Sequence, residues 1–167
     1  DDDCDCGCQP EWTSDSLEIG SGDTSVGDLI SAGGELYLGG WTSDADPSDL
    51  AGYVARVDTV GGTVEATYLL DPDDEGDGIL AMASDGDQLY AAGATSWGGE
   101  PQFTDAEAVV VALPLPLPDG AEATWTSAPS DVDVVTGLRH GEGKLYGAAN
   151  RDGDGVVFRC DVDGTCP

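Results

Sequence analysis

The chain repeats itself with a period of roughly 55 residues, which restricts it to folding as a row of similar units packed on one another. The first unit runs from Leu29-Ile30-Ser31-Ala32 through a Gly33-Gly34 turn to Leu36-Tyr37-Leu38-Gly39-Gly40. After a polar loop it continues with Gly52 to Asp58, a Gly61-Gly62 turn and Val64 to Leu69. The second has Leu80 to Ala83, Asp85-Gly86-Asp87, Leu89 to Gly93, Ala108 to Leu113, Asp119-Gly120 and Ala123 to Thr126; the third has Leu138, Gly141 to Gly143, Leu145-Tyr146-Gly147 and Val156 to Asp161. Tyr37, Tyr90 and Tyr146 are 53 and 56 residues apart, and Trp12, Tyr68 and Trp125 are 56 and 57 apart. Each unit holds short strands joined by Gly and Asp turns, the pattern of an antiparallel meander. With 25 glycines and 9 prolines in 167 residues, long helices are disfavoured, so the expected fold is all-β in a single domain.

The segments Gly34 to Ser43, Gly52 to Val57 and Ala66 to Leu69, with their counterparts Leu89-Tyr90, Gly93, Thr95-Ser96 and Ala123-Thr124-Trp125, resemble the secreted bacterial β-propeller repeats of the seven-bladed (SBBP-like) type. The resemblance covers nearly the whole chain but only three units. It implies a propeller fold and secretion, and carries no catalytic residues.

Aligning Trp12 with Tyr68 places Cys8 at the Val64 position, and aligning Val156 to Asp161 with Tyr53 to Asp58 places Cys166 there too, with one residue fewer in the turn. The third unit therefore lacks a fourth strand, while the stretch around Glu11-Trp12-Thr13 is a fourth strand without a unit. An open strand edge leaves backbone N–H and C=O groups unpaired, so one is expected to complete the other. The expected organisation is a donated strand at 9–16 and four-stranded propeller-type blades at about 28–70, 79–127 and 135–166, with the last blade completed from the same or a neighbouring chain. A ring of three blades bends too sharply, which favours closure between molecules, into a six-bladed ring or an open filament.

The cysteines occupy only the ends, Cys4, Cys6 and Cys8 against Cys160 and Cys166. No C-x-x-C pair is present and His140 is the lone histidine, so disulfides are expected ahead of zinc. They imply an oxidising setting, secreted or at the cell surface. Their connectivity stays open between a staple closing one chain and a lock between subunits; the count is odd.

Asp and Glu number 34 against 5 Lys and Arg, a formal charge of −29, so the basic footprint that nucleic acid and anionic membranes need is absent. The longest apolar runs, such as Ala108 to Leu113, are far too short to span a membrane, and a soluble chain is expected. Such self-repulsion calls for cations. Asn150, Asp152 and Asp154 space oxygen ligands as a calcium loop begins, although flanking helices and the final Glu are missing. Asp71, Asp73, Glu75 and Asp77 form a second acidic cluster, and Asp44, Asp46 and Asp49 a third. The alternative is that these loops serve solvation alone.

No enzyme is expected: His140 has no recognisable nucleophile partner, and 34 acids make any carboxylate pair uninformative. Trp12, Tyr68 and Trp125 share one repeat position, which favours packing over ligand contact, whereas Trp97 is off that register and is the candidate ligand contact. Leu113 to Pro118 alternates Leu and Pro and reads as a stiff connection that ends strand pairing ahead of a polyproline ligand. The expected function is an extracellular structural protein assembling head-to-tail by strand exchange, with disulfides at the joint and Ca²⁺ offsetting repulsion. The competing reading is a secreted module binding a glycan or protein, as a six-bladed dimer or a fragment of a longer propeller.

Overall fold

The computed structural model describes residues 19, 22–43, 50–70, 76–96 and 106–166. The all-β expectation holds: the described residues contain strands and turns and no helix. Strands β1 (Thr24–Ala32), β2 (Glu35–Ser43), β3 (Leu50–Val57) and β4 (Val64–Leu70) form one antiparallel meander. A second contains β5 (Gly78–Ser84), β6 (Gln88–Thr95), β7 (Glu107–Pro114) and β8 (Trp125–Ser127). The third has three strands, β9 (Val134–Gly141), β10 (Lys144–Arg151) and β11 (Asp154–Asp161), with β10 central. The sheets stay separate and do not close on themselves. The segment expected to complete the third, 9–16, lies outside the described residues.

The repeat is exact enough to set the hydrogen-bond register. Leu36, Leu89 and Leu145 sit opposite Val57, Leu113 and Cys160, and Tyr37, Tyr90 and Tyr146 opposite Arg56, Ala112 and Arg159. One residue of each sheet's first strand is skipped by the ladder, at Gly27, Leu80 and Thr136, so the bulge recurs at the tyrosine spacing. The turns follow from composition. Gly33-Gly34, Glu142-Gly143 and Asp152-Gly153 are two-residue connections with positive φ at both positions, as tight hairpins of twisted strands require.

The sheets stack face to face. Tyr37, Val54 and Tyr68 of the first pack on Ile79, Met82, Leu89 and Val111 of the second; on its other face, Tyr90, Val110 and Ala112 pack on Val135, Leu138, Leu145 and Cys160 of the third. Being covered on both sides, β7 is apolar without alternation from Ala108 to Leu113, whereas β11 alternates, with Cys160 buried and Val157 and Arg159 exposed. The first sheet's outer face, with Leu38, Tyr53, Ala55 and Val57, carries the buried Ile19, whose carbonyl accepts hydrogen bonds from Thr42 Oγ1 (2.6 Å) and Thr24 Oγ1 (3.3 Å). Leu113 and Leu117 are fully buried against the first sheet, so the Leu-Pro run is spent on internal packing.

Candidate functional site

The C-terminal turn reproduces the turn that precedes β4. In the first sheet Asp58 N donates to Thr63 O (2.9 Å) and Gly62 N to Asp58 O (2.9 Å), and β4 then starts at Val64, opposite Val57. In the third, Asp161 N donates to Thr165 O (2.9 Å) and Gly164 N to Asp161 O (3.0 Å), which brings Cys166 to the Val64 position. Cys160 stands where Val57 does, and the two cysteines form a disulfide with Cα atoms 4.2 Å apart. The bond thus replaces a cross-strand valine pair. It also corrects the expected pairing of the chain ends: both C-terminal cysteines are taken up by each other, six residues apart, and neither is left for Cys4, Cys6 or Cys8, which lie outside the described residues.

Trp125 holds this turn against the second sheet. Its Nε1 donates to Val162 O (3.0 Å), and its ring covers Gly164 so closely that a Cβ there would come within 2.8 Å of it. The packing role expected for Tyr68 and Trp125 is what the sheets display; Trp12 and Trp97 lie outside the described residues.

The 150–155 segment, the expected calcium loop, forms the end of a hairpin. Asn150 pairs with Gly155 and Arg151 with Asp154 across a two-residue turn, and Asp152 N donates to Asp133 Oδ2 (2.6 Å). Ladder pairing puts Asn150 and Asp154 on opposite faces of the hairpin, with Asp152 in the turn between them. Among the described residues no group of three His, Cys, Asp or Glu side chains is arranged to hold a metal ion. Asp71, Asp73, Glu75, Asp44, Asp46 and Asp49 lie outside them, as do Glu11 and Thr13. Asp77 is buried, and its backbone N donates to Leu50 O (2.6 Å).

His140 stacks on Tyr90 between the second and third sheets, ring centroids 6.3 Å apart. Tyr90 OH donates to Asp85 Oδ2 (2.6 Å), while Asp85 Oδ1 accepts from the backbone N of Asp87 (2.9 Å) and Gln88 (2.8 Å). Burial acts to raise the Asp85 pKa, but the hydrogen bonds from Tyr90, Gln88 and Asp87, with His140 nearby, outweigh it and hold the carboxyl below its ordinary value. For Tyr90, burial first and then the Asp85 bond push the phenol upward, so it remains a donor. A carboxyl depressed on folding contributes stability above its unfolded pKa and loses it as pH falls through the folded value. In Tyr90→Phe, NMR titration is expected to show the Asp85 carboxyl moving upward. Stability at pH 7 falls by only about 0.5–1 kcal/mol, because water replaces the hydroxyl at the exposed carboxylate.

The outer face of the third sheet is where the repeat stays unsatisfied. Tyr37 and Tyr90 are 0% and 1% exposed because the next sheet covers them, but Tyr146, in the same register, is 40% exposed. Val54 and Val110 are both 0% exposed; their counterpart Val157 is 80% exposed. Arg139 and Arg159 flank Tyr146 on β9 and β11 in one row across the sheet. Of the chain's five cations, Arg56 pairs with Glu65 (3.3 Å), Lys144 pairs with Asp161, and Arg151 Nε donates to the Asp131 carbonyl. Among the described residues Arg139 and Arg159 make no ion pair. Beside this row a cleft of about 500 Å³ opens where the three bulges meet, lined by Gly27, Leu80, Thr136, Tyr146 and Val157 among others. Asp28 also borders it, but its carboxylate is engaged by Leu29 N (2.8 Å) and Met82 N (2.7 Å), tying the first sheet to the second.

Arg139, Tyr146, Val157 and Arg159 were not named as site residues from the sequence, where Tyr146 served only to mark the repeat. A usable signal was present: four of the five cations, Arg139, Lys144, Arg151 and Arg159, fall in the third unit. No protein-family model matches the chain, and no curated protein matches it.

Proposed function

We propose that this chain is a secreted structural subunit that assembles head-to-tail, each copy giving the strand around Trp12 to the β11 edge of another. In this reading each meander is a propeller-type blade, and the donated strand is the outermost of the third. The observation that supports it is the Asp161 to Thr165 turn, which repeats the turn before β4 and brings Cys166 beside β11, in a sheet with three strands among the described residues where its neighbours have four. A strand laid there pairs backbone groups that otherwise rely on water. The Cys160–Cys166 bond suits an oxidising compartment and stiffens the receiving edge, leaving the joint itself to backbone pairing and packing.

The test is deletion of residues 1–14, read by sedimentation velocity and electron microscopy. The intact chain is expected to form rings or filaments and the deletion to leave single subunits. Unchanged multimers after the deletion overturn the strand-donation reading.

A further inference from the structure

We infer that the cleft where the three bulges meet is a binding site for a small organic acid, whose carboxylate is held by the Leu138 N–H and the Arg139 guanidinium. The site lies on the first strands of the sheets and does not depend on the head-to-tail reading.

The repeat turns one backbone group out of the ladder in each sheet. Leu29, Met82 and Leu138 each follow the bulged residue by two positions and stand opposite Leu38, Ala91 and Gly147. Rungs of an antiparallel ladder alternate between pairs that exchange hydrogen bonds and pairs that do not. Counted from the hairpin closures at Ala32 and Glu35, Asp85 and Gln88, and Gly141 and Lys144, all three residues fall on rungs of the second kind. Their N–H groups therefore point away from the second strand of their own sheet. Between the first two sheets the protein meets these groups itself. Asp28 Oδ1 accepts from Leu29 N (2.8 Å) and Oδ2 from Met82 N (2.7 Å), so one carboxylate bridges both donors.

Between the second and third sheets the Asp28 position is held by Ala81, which lies in one core cluster with Leu138 and has no side-chain oxygen to offer. Among the described residues no acceptor meets Leu138 N. The Leu138 carbonyl, on the same side of the strand, accepts from Arg139 Nη1 (3.0 Å), which sets the guanidinium beside that N–H with further donors to spare. A backbone N–H next to a guanidinium recognises an oxyanion, and one sheet earlier the same backbone position takes a carboxylate. Leu80, Ala81, Thr136, Leu138 and Arg139 all line the cleft, whose volume of about 500 Å³ holds a body of monosaccharide size behind the carboxylate. Asp28 also borders the cleft, but both its oxygens are engaged by backbone N–H groups, and Arg139 supplies the charge that an incoming anion needs.

The experiment titrates the full chain with sodium glucuronate, glucose and sodium sulfate at constant ionic strength. Calorimetry reads affinity, and the NMR signal of the Leu138 amide reads the place. Glucuronate is expected to bind with a dissociation constant of ~1 mM and to move the Leu138 amide downfield to saturation, as a new acceptor does. Glucose, which carries a hydroxymethyl group in place of the carboxylate, is expected to do neither. Arg139→Gln is expected to weaken glucuronate binding about tenfold or more, and Arg159→Gln, at an exposed cation outside the cleft, to leave it unchanged. Ala81→Asp supplies the carboxylate that the first interface has, so its Leu138 amide is expected downfield without ligand and unresponsive to glucuronate. Ala81 is buried, and circular dichroism melting checks that this variant folds; Arg139→Gln, at an exposed position, decides the matter if it does not. A Leu138 amide that glucuronate leaves unmoved, equal binding of glucose, or equal weakening by Arg159→Gln overturns the site. Sulfate bound as tightly as glucuronate overturns the assignment to carboxylates.

Discussion

Gly93→Ala is expected to lower stability by about 3 kcal/mol, at the upper end of the usual cost of forcing an extra group into a packed site. The second strand of the middle sheet passes directly beneath the start of the first, and a Cβ on Gly93 would run into the Gly78 carbonyl oxygen, far inside van der Waals contact. Gly40 meets Ser25 O in the same way. The obstacle is backbone held by the ladder on either side of the bulge, not the tip of a side chain, so it cannot swing aside. In a domain of this size the loss corresponds to a fall in Tm of roughly 6–12 °C. Calorimetry of Gly93→Ala and Gly40→Ala is the check, and a fall under about 2 °C in both would show that the first strands are free to move away. The third sheet carries Ala149 at this position, opposite Val135, so the requirement belongs to the first two sheets.

Reducing the Cys160–Cys166 bond, or replacing both cysteines by serine, is expected to cost about 2 kcal/mol, the loop entropy of a ring closed over six residues of separation. The bond fastens the turn on which Trp125 rests, with its Nε1 on Val162 O and its ring over Gly164. The Trp125 environment should therefore loosen before the sheets separate. A red shift of tryptophan emission on adding reductant, with a drop in Tm of roughly 4–8 °C, is the expected result. Loss of multimers on reduction is expected only in proportion to this loosening, because both cysteines of the receiving turn are paired within the chain. A set of covalent multimers that collapses completely with reductant would place the joint at the N-terminal cysteines.

Much of the fold could be read from spacing. The tyrosines Tyr37, Tyr90 and Tyr146 mark the same rung of three ladders because each follows a tight turn by a constant number of residues, and turn geometry fixes register. The match of Cys166 to Val64, with one residue fewer in the turn, needed only the Asp-to-Thr closure that both turns share. The disulfide partner was not readable, since a repeat says which rung a cysteine occupies and not which other cysteine shares it. Asn150, Asp152 and Asp154 were ambiguous in local structure for a related reason. The alternating oxygens of a calcium loop and the Asp-Gly of a tight hairpin share a spelling, and strand pairing on both sides selects the hairpin.

The open face was hidden for a different reason. Tyr146 and Val157 are the same residue types at the same repeat positions as Tyr90 and Val110, so nothing local separates a covered copy from an uncovered one. The sequence alone determined the strands, their order within each meander and their register, because these depend on period-two alternation and turn chemistry over a few residues. Which faces were buried and which cysteines met were decided by tertiary packing, because burial depends on whether another sheet lies opposite.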